Sequence, residues 1–265
     1  MSRAVRSATV GTAFLLACGL MATSSPAFAT GKGHAAPATH SHSKPATHGR
    51  THERPAPHKS VDKLAGVRRG ATNALAASTS RVKRVAAAEA ASTALSADDK
   101  TALATATTAD LAALATDAQA IASATSTKAI LAAAQSGLAT ALGADLQYRV
   151  VLAASKVQAE ADSLTADAAT LDEQASTLAA GGTDVSTVTT PLADLASQVD
   201  QAETGAASAR TAALALPAAP SATQLHSAGT AVHDALDTAE SALTAGAADL
   251  TAASTALSAL QSPTP

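Results

Sequence analysis

Large aliphatic residues recur at every seventh position over long stretches of this chain. Val150, Val157, Leu164, Leu171 and Leu178 form one series, with Ala154, Ala161, Ala168 and Ala175 at the alternate seam positions. Leu236, Leu243, Leu250 and Leu257 form another, with Ala239, Gly246 and Ala253 between them. A sevenfold repeat with 3–4 alternation places both residue classes on one stripe of an α-helix, whereas strand side chains alternate with period two. High alanine content alone would promote helix but would not hold leucines at sevens. The repeat therefore demands long helices that bury their stripes against one another.

The same alternation organises the rest of the chain from residue 60 onward. A helix over about 60–93 carries Val61, Leu64, Ala71, Leu75, Val82 and Val85. Ser96-Ala97-Asp98-Asp99 is a capping start with acids in the first turn, opening a helix with Leu103, Leu111, Leu114, Ala118 and Ile121 on one face. A Ser/Thr cluster at 123–127 interrupts it. A shorter segment follows with Ile130, Leu131, Ala134, Leu138 and Leu142, which Gly143 is expected to kink or end. The heptad helix over 144–180 stops at Gly181-Gly182. The next run, from Val185 to Leu216, contains Pro191. Either the helix begins there with Thr190 as N-cap, or its first turns kink. Pro217 to Pro220 break the chain, and Ser221-Ala222-Thr223-Gln224 is a second capping box. Large seam residues alternating with tiny ones let backbones approach closely, and short breaks favour antiparallel neighbours. The expected fold class is all-α: an elongated antiparallel helical bundle over 60–262. Its last three helices form a three-helix coil, with the first two packed beside it or continuing it.

Residues 1–29 have the make-up of a secretory signal. Arg3 and Arg6 precede an apolar stretch, Val10 to Ala22, and Ala27-Phe28-Ala29 is a small-x-small cleavage pattern. A rival reading is lipoprotein processing at Cys18 after Leu15-Leu16-Ala17, which would leave a lipid anchor. Cleavage before Thr30 would remove every Phe, Met and Cys and leave Tyr148 as the single aromatic. The core must then be built from Ala, Leu, Val and Ile, which bury little area per contact. Disulfide and thiolate chemistry would be absent. No second apolar run is expected to span a bilayer.

Charge divides the chain. Residues 32–84 hold 11 Lys/Arg against Glu53 and Asp62; residues 85–265 hold 5 against 19 Asp/Glu, so the balance moves from +9 to −14. A basic arm on an acidic body suits a polyanion, such as a wall polymer or lipid headgroups and not nucleic acid, or an arm that folds back on its own protein; another envelope protein is the other candidate partner. Residues 30–59 contain a degenerate octad repeat, Pro37 to Lys44 and Pro45 to His52, with few apolar residues, and read as an extended disordered linker. The linker carries His34, His40, His42, His48, His52 and His58. Neutral imidazoles ligate Zn, Cu or Ni, so this segment is the candidate metal site. No Cys or carboxylate frame accompanies it, and the other reading is a soluble linker that becomes charged in mild acid.

Catalytic patterns are missing. Gly181-Gly182 lacks the Lys and strand of a phosphate loop, and neither a G-x-S-x-G elbow nor a His-Glu-x-x-His helix occurs. His226, His233 and Asp237 read as a solvated helix face with a weak ion pair. Tyr148, beside Arg149, reads as packing at a helix junction with its hydroxyl in water. No cofactor is implied.

The run Leu95-Ser96-Ala97-Asp98-Asp99-Lys100-Thr101-Ala102-Leu103, then Leu146-Gln147-Tyr148-Arg149-Val150, then a heptad helix, resembles a group of uncharacterised secreted, Ala-rich helical proteins of actinobacteria. The resemblance covers about residues 61–260, and Val151 stands where that group often has a second Tyr. It implies export and an all-α fold, and supplies no site residues. Together these features predict a non-catalytic secreted or cell-envelope structural or interaction protein, with an exported metal-binding protein as the alternative.

Overall fold

The computed structural model describes residues 59–262. The all-α fold expected from the heptads is what forms, in five helices: α1 (Lys59–Ala91), α2 (Ala97–Ser123), α3 (Thr127–Ala180), α4 (Ser186–Leu214) and α5 (Ala222–Gln261). The linker 30–59, with its six histidines and the Cys18 alternative upstream, lies outside the described residues but for Lys59, as do residues 263–265.

Local chemistry fixes most of the helix ends. Ser96 Oγ accepts from the Asp99 amide at 3.0 Å, Ser126 Oγ from the Ala129 amide at 3.3 Å, and Ser221 and Gln224 close a full capping box. α3 ends in a Schellman arrangement: the Gly182 amide donates to Ala179 O and the Thr183 amide to Leu178 O, while Gly182 adopts φ +88°. The exposed threonines that dilute the apolar pattern keep their hydroxyls satisfied on carbonyls one turn back, as Thr105 does on Thr101 and Thr244 on Glu240.

Gly143 does not end a helix, and Pro191 does not begin one. The two segments around Gly143 are one 54-residue helix, about 80 Å long at 1.5 Å per residue. Gly143 is buried, and a Cβ there would stand 3.2 Å from Pro220 Cγ. The glycine thus serves close approach of the α4–α5 connection. Pro191 is likewise internal. α4 begins at Ser186, and Asp184 Oδ1 accepts from the Ser186 amide at 2.9 Å at its start.

The long α3 is shared by two three-helix bundles. Its N-terminal half packs with α1 and α2, and its C-terminal half with α4 and α5. The first core joins Leu75, Val82, Leu114, Ile121 and Ile130 to Ala71, Ala133, Ala141 and Ala144. The second joins Val157, Leu164, Leu195, Val199 and Leu243 to Ala154, Ala161, Ala202, Ala206 and Ala239. α1 and α2 thus continue the three-helix coil along α3. Within the second bundle, tiny residues bring backbones together: a Cβ on Gly205 would come within 2.7 Å of Ala235 O. Leu171, Leu178, Val188, Ala253 and Leu257 close its far end.

The bundles meet around residues 143–155 of α3. Leu95, Leu103 and Val151 form a small core there, with Tyr148, Leu152 and Leu214 against it, so Tyr148 packs at a helix junction as its isolation suggested. Asp99 Oδ2 accepts from Ser96 Oγ at 2.9 Å and Ser155 Oγ at 3.2 Å, and Asp99 Oδ1 lies 3.1 Å from Arg210 Nε. That guanidinium N–H is close enough for an ion pair but not aimed for a hydrogen bond. Gln147, buried, donates to Leu216 O at 3.3 Å. Side chains from α2, α3 and α4 therefore lock the two bundles together.

Candidate functional site: a basic face and a buried carboxyl pair

Two features stand apart from ordinary bundle packing. The first is the charge of α1. It carries Lys59, Lys63, Arg68, Arg69, Arg81, Lys83 and Arg84 against Asp62 and Glu89. Arg68 turns inward and donates to Ile121 O at 3.2 Å and Ala124 O at 2.6 Å, tying down the C-terminus of α2. Arg81 donates to Asp145 Oδ2 on α3 at 3.0 Å. Lys63, Arg69, Lys83 and Arg84 face solvent. By contrast, residues 157–261 contain 13 Asp/Glu and only Arg210 as a cation. The charge split read from the sequence thus falls on different bundles.

The second feature lies between α1 and α2. Glu89 and Asp110 are 4% and 2% exposed. Thr107 Oγ1 bridges both Glu89 oxygens at 3.1 and 3.0 Å, while Asp110 Oδ2 is buried without a partner. Burial, and then the nearby Glu89 charge, push the Asp110 carboxyl up to about 7. Burial raises Glu89 too, against the Thr107 hydroxyl that favours its charged form. Two turns further along α2, burial raises Asp117 despite a bond from Ser136, and its Oδ2 is also buried and unpartnered. Ser78, Thr140 and Gln147 add further polar groups to the buried surface of this bundle.

The carboxyl pair is absent from the sequence-based candidates because the face of α2 was placed one position away. The observed seam is Leu103, Thr107, Asp110, Leu114, Asp117 and Ile121; Leu111 is half-buried and Ala118 exposed. The 3–4 spacing of those six residues was a usable signal, but leucine and alanine one position on masked it.

Other candidates resolve simply. His226 and His233 are exposed, and His233 Nδ1 lies 3.2 Å from Asp237 Oδ1 with both side chains more than half exposed, as expected of a solvated pair. Glu240 nearby is raised by partial burial and by Asp237 and Glu160, against His233. Among the described residues no cluster of three or more His, Cys, Asp or Glu could hold a metal ion. A shallow groove between α4 and α5, lined by Gln198, Gln201, Asp237 and Ser241, has no nucleophile–base arrangement. α3 is long and apolar enough to cross a membrane by length and composition, which qualifies the sequence reading; it is also the helix that supplies both cores. No family model, curated protein or solved structure matches this chain.

Proposed function

We propose that this chain is a non-catalytic structural or interaction protein of the cell envelope, exported as the secreted Ala-rich proteins it resembles are, in which a basic N-terminal arm engages anionic wall polymers. The observation that carries this reading is the placement of charge. The basic run from Lys32 continues into α1, whose Lys63, Arg69, Lys83 and Arg84 face solvent, while the C-terminal bundle is acidic and repels polyanions. Multivalent contact with a charged polymer needs no formed pocket.

Co-sedimentation with purified cell walls tests it, comparing residues 30–265 with 60–265 and a Lys63/Arg69/Lys83/Arg84→Glu variant, at low and moderate salt. Binding that falls with salt, with deletion of 30–59 and again with the four glutamates supports the reading. Binding by none of the three proteins, or binding indifferent to salt, rejects it.

The alternative, metal binding, rests on six histidines within residues 34–58. Calorimetry of the 30–60 peptide with Zn and Cu tests it. Affinity no better than that of scattered histidines removes it.

A further inference from the structure

The heptad series named above line the cores of the two bundles, but α3 carries a second one whose leucines stay exposed. Among the described residues the large apolar side chains left exposed are Leu131, Leu138 and Leu142, at 46%, 53% and 38%. They belong to a 3–4 series along one face: Lys128, Leu131, Gln135, Leu138, Leu142, Asp145 and Arg149. Alternate spacings of three and four residues define the a and d positions of a coiled-coil seam. Read so, Lys128, Gln135, Leu142 and Arg149 are a positions and Leu131, Leu138 and Asp145 are d positions. The inner faces of the same stretch, with Ile130, Ala133, Gly137, Thr140 and Ala144, are already filled by α1 and α2.

We infer that this stripe is a homodimer seam, in which α3 of one copy packs antiparallel on α3 of a second copy about a twofold axis near Ser136–Gly137. Antiparallel coils pair a with d, and the residues of this stripe do so through residue pairs related by that axis. Lys128 meets Asp145, Leu131 meets Leu142, and Gln135 meets Leu138, each with its counterpart repeated on the other side. A twofold interface must be complementary to itself, and this stripe is. A parallel pairing would set Lys128 against Lys128, whereas the antiparallel one brings Lys128 to the Asp145 carboxylate. Arg81 and Arg149 both hold Asp145 Oδ2, at 3.0 and 2.9 Å, and the Asp145 side chain stays 22% exposed, so an incoming Lys128 would join an existing ion-pair cluster. Three leucines per copy make a small interface, so the dimer should dissociate on dilution.

Sedimentation equilibrium of the purified protein over the micromolar range, with Leu138→Glu alongside, is the test. The expected result is a mass that rises toward twice the monomer, and dissociation at least tenfold easier in Leu138→Glu with unchanged helicity. Pulsed electron spin resonance fixes the register, with a spin label at Lys128→Cys in a Cys18→Ser background. The two labels should sit roughly 25 Å apart along the helix axis, since positions 128 and 145 are separated by 17 residues, whereas a parallel pair brings them within about 10 Å. A monomer throughout, a dimer indifferent to Leu138→Glu, or the short label distance overturns the inference. So does binding of anionic lipid vesicles that needs Leu138 in a protein that stays monomeric, which would assign the stripe to a lipid surface.

Discussion

The two bundles strung along α3 are built from the same residues to opposite specifications. The C-terminal bundle has a dry seam: Val157, Leu164, Leu195, Val199 and Leu243 interleave with alanines, and its acids stay at the surface. The N-terminal bundle puts Glu89 and Asp110 inside, with one threonine hydroxyl for two carboxyl groups. Stability in the first comes from area and close approach. In the second, part of the same gain is offset by desolvated acids, which are tolerated when they hold their protons. Helices of similar composition can therefore differ in what controls them: packing in one case, proton concentration in the other.

Titration separates them most sharply. The Asp110 carboxyl has a folded-state value of about 7 against an ordinary 3.8, so its contribution is fully present below pH 4 and is lost as pH rises through 7. That shift corresponds to on the order of 4 kcal/mol, with Glu89 acting in the same direction. Hydrogen exchange at pH 5 and pH 8.5, corrected for intrinsic rates, should show α1 and α2 losing protection while α4 and α5 keep theirs. Equal protection in both bundles at both values would erase the contrast. Asp110→Asn removes the ionisation at nearly constant shape, so its thermal midpoint should vary less between those pH values than that of the parent protein. An unchanged pH slope would move the cause elsewhere.

The next effect belongs to the dry bundle. Gly205→Ala drives a methyl toward the Ala235 carbonyl, which stands at 2.7 Å and is backbone, so α4 and α5 must separate. Urea unfolding should show a loss of roughly 1–3 kcal/mol. Gly143→Ala meets side chains alone, the Pro220 ring at 3.2 Å and Leu225 Cδ2 at 3.8 Å. Its better helix propensity, about 1 kcal/mol, offsets that contact, and the net change should be small. If Gly143→Ala proves the costlier of the two, close approach is more critical at the junction than in the dry seam.

Smaller still is the cap of α5. Ser221→Ala removes the bond to the Gln224 amide and should lower stability by about 1 kcal/mol by urea titration. His233→Ala removes an exposed ion pair with Asp237 and should shift the same titration by less than about 0.5 kcal/mol. A larger effect there would give the pair a role beyond the surface.

The amount legible beforehand follows from how local each cause is. Helix existence, the caps at Ser96 and Ser221, the stop at Gly182 and the heptad seams of α3 and α5 depend on residues within one or two turns, and the sequence carries them openly. Gly143 was misjudged because its local signal is a break; the deciding contact comes from Pro220, 77 positions away. At Pro191 two readings were open, and the helix runs through it, so the start at Pro191 is the one that falls. The carboxyl pair was missed because choosing between Asp110 and Leu111 as the inward residue needs the orientation of α2 about its axis, which its neighbours set.

The sequence by itself determined that this chain makes long helices, where most of them start and stop, and which end of the molecule is basic, because periodicity, capping and charge are local properties. Only the tertiary structure decided that α3 runs unbroken through two bundles and that two acids of the first are sealed from water. It also left a second leucine stripe of α3 facing solvent. Each of these depends on which helix lies beside which, and burial is a property of neighbours that residue order does not contain.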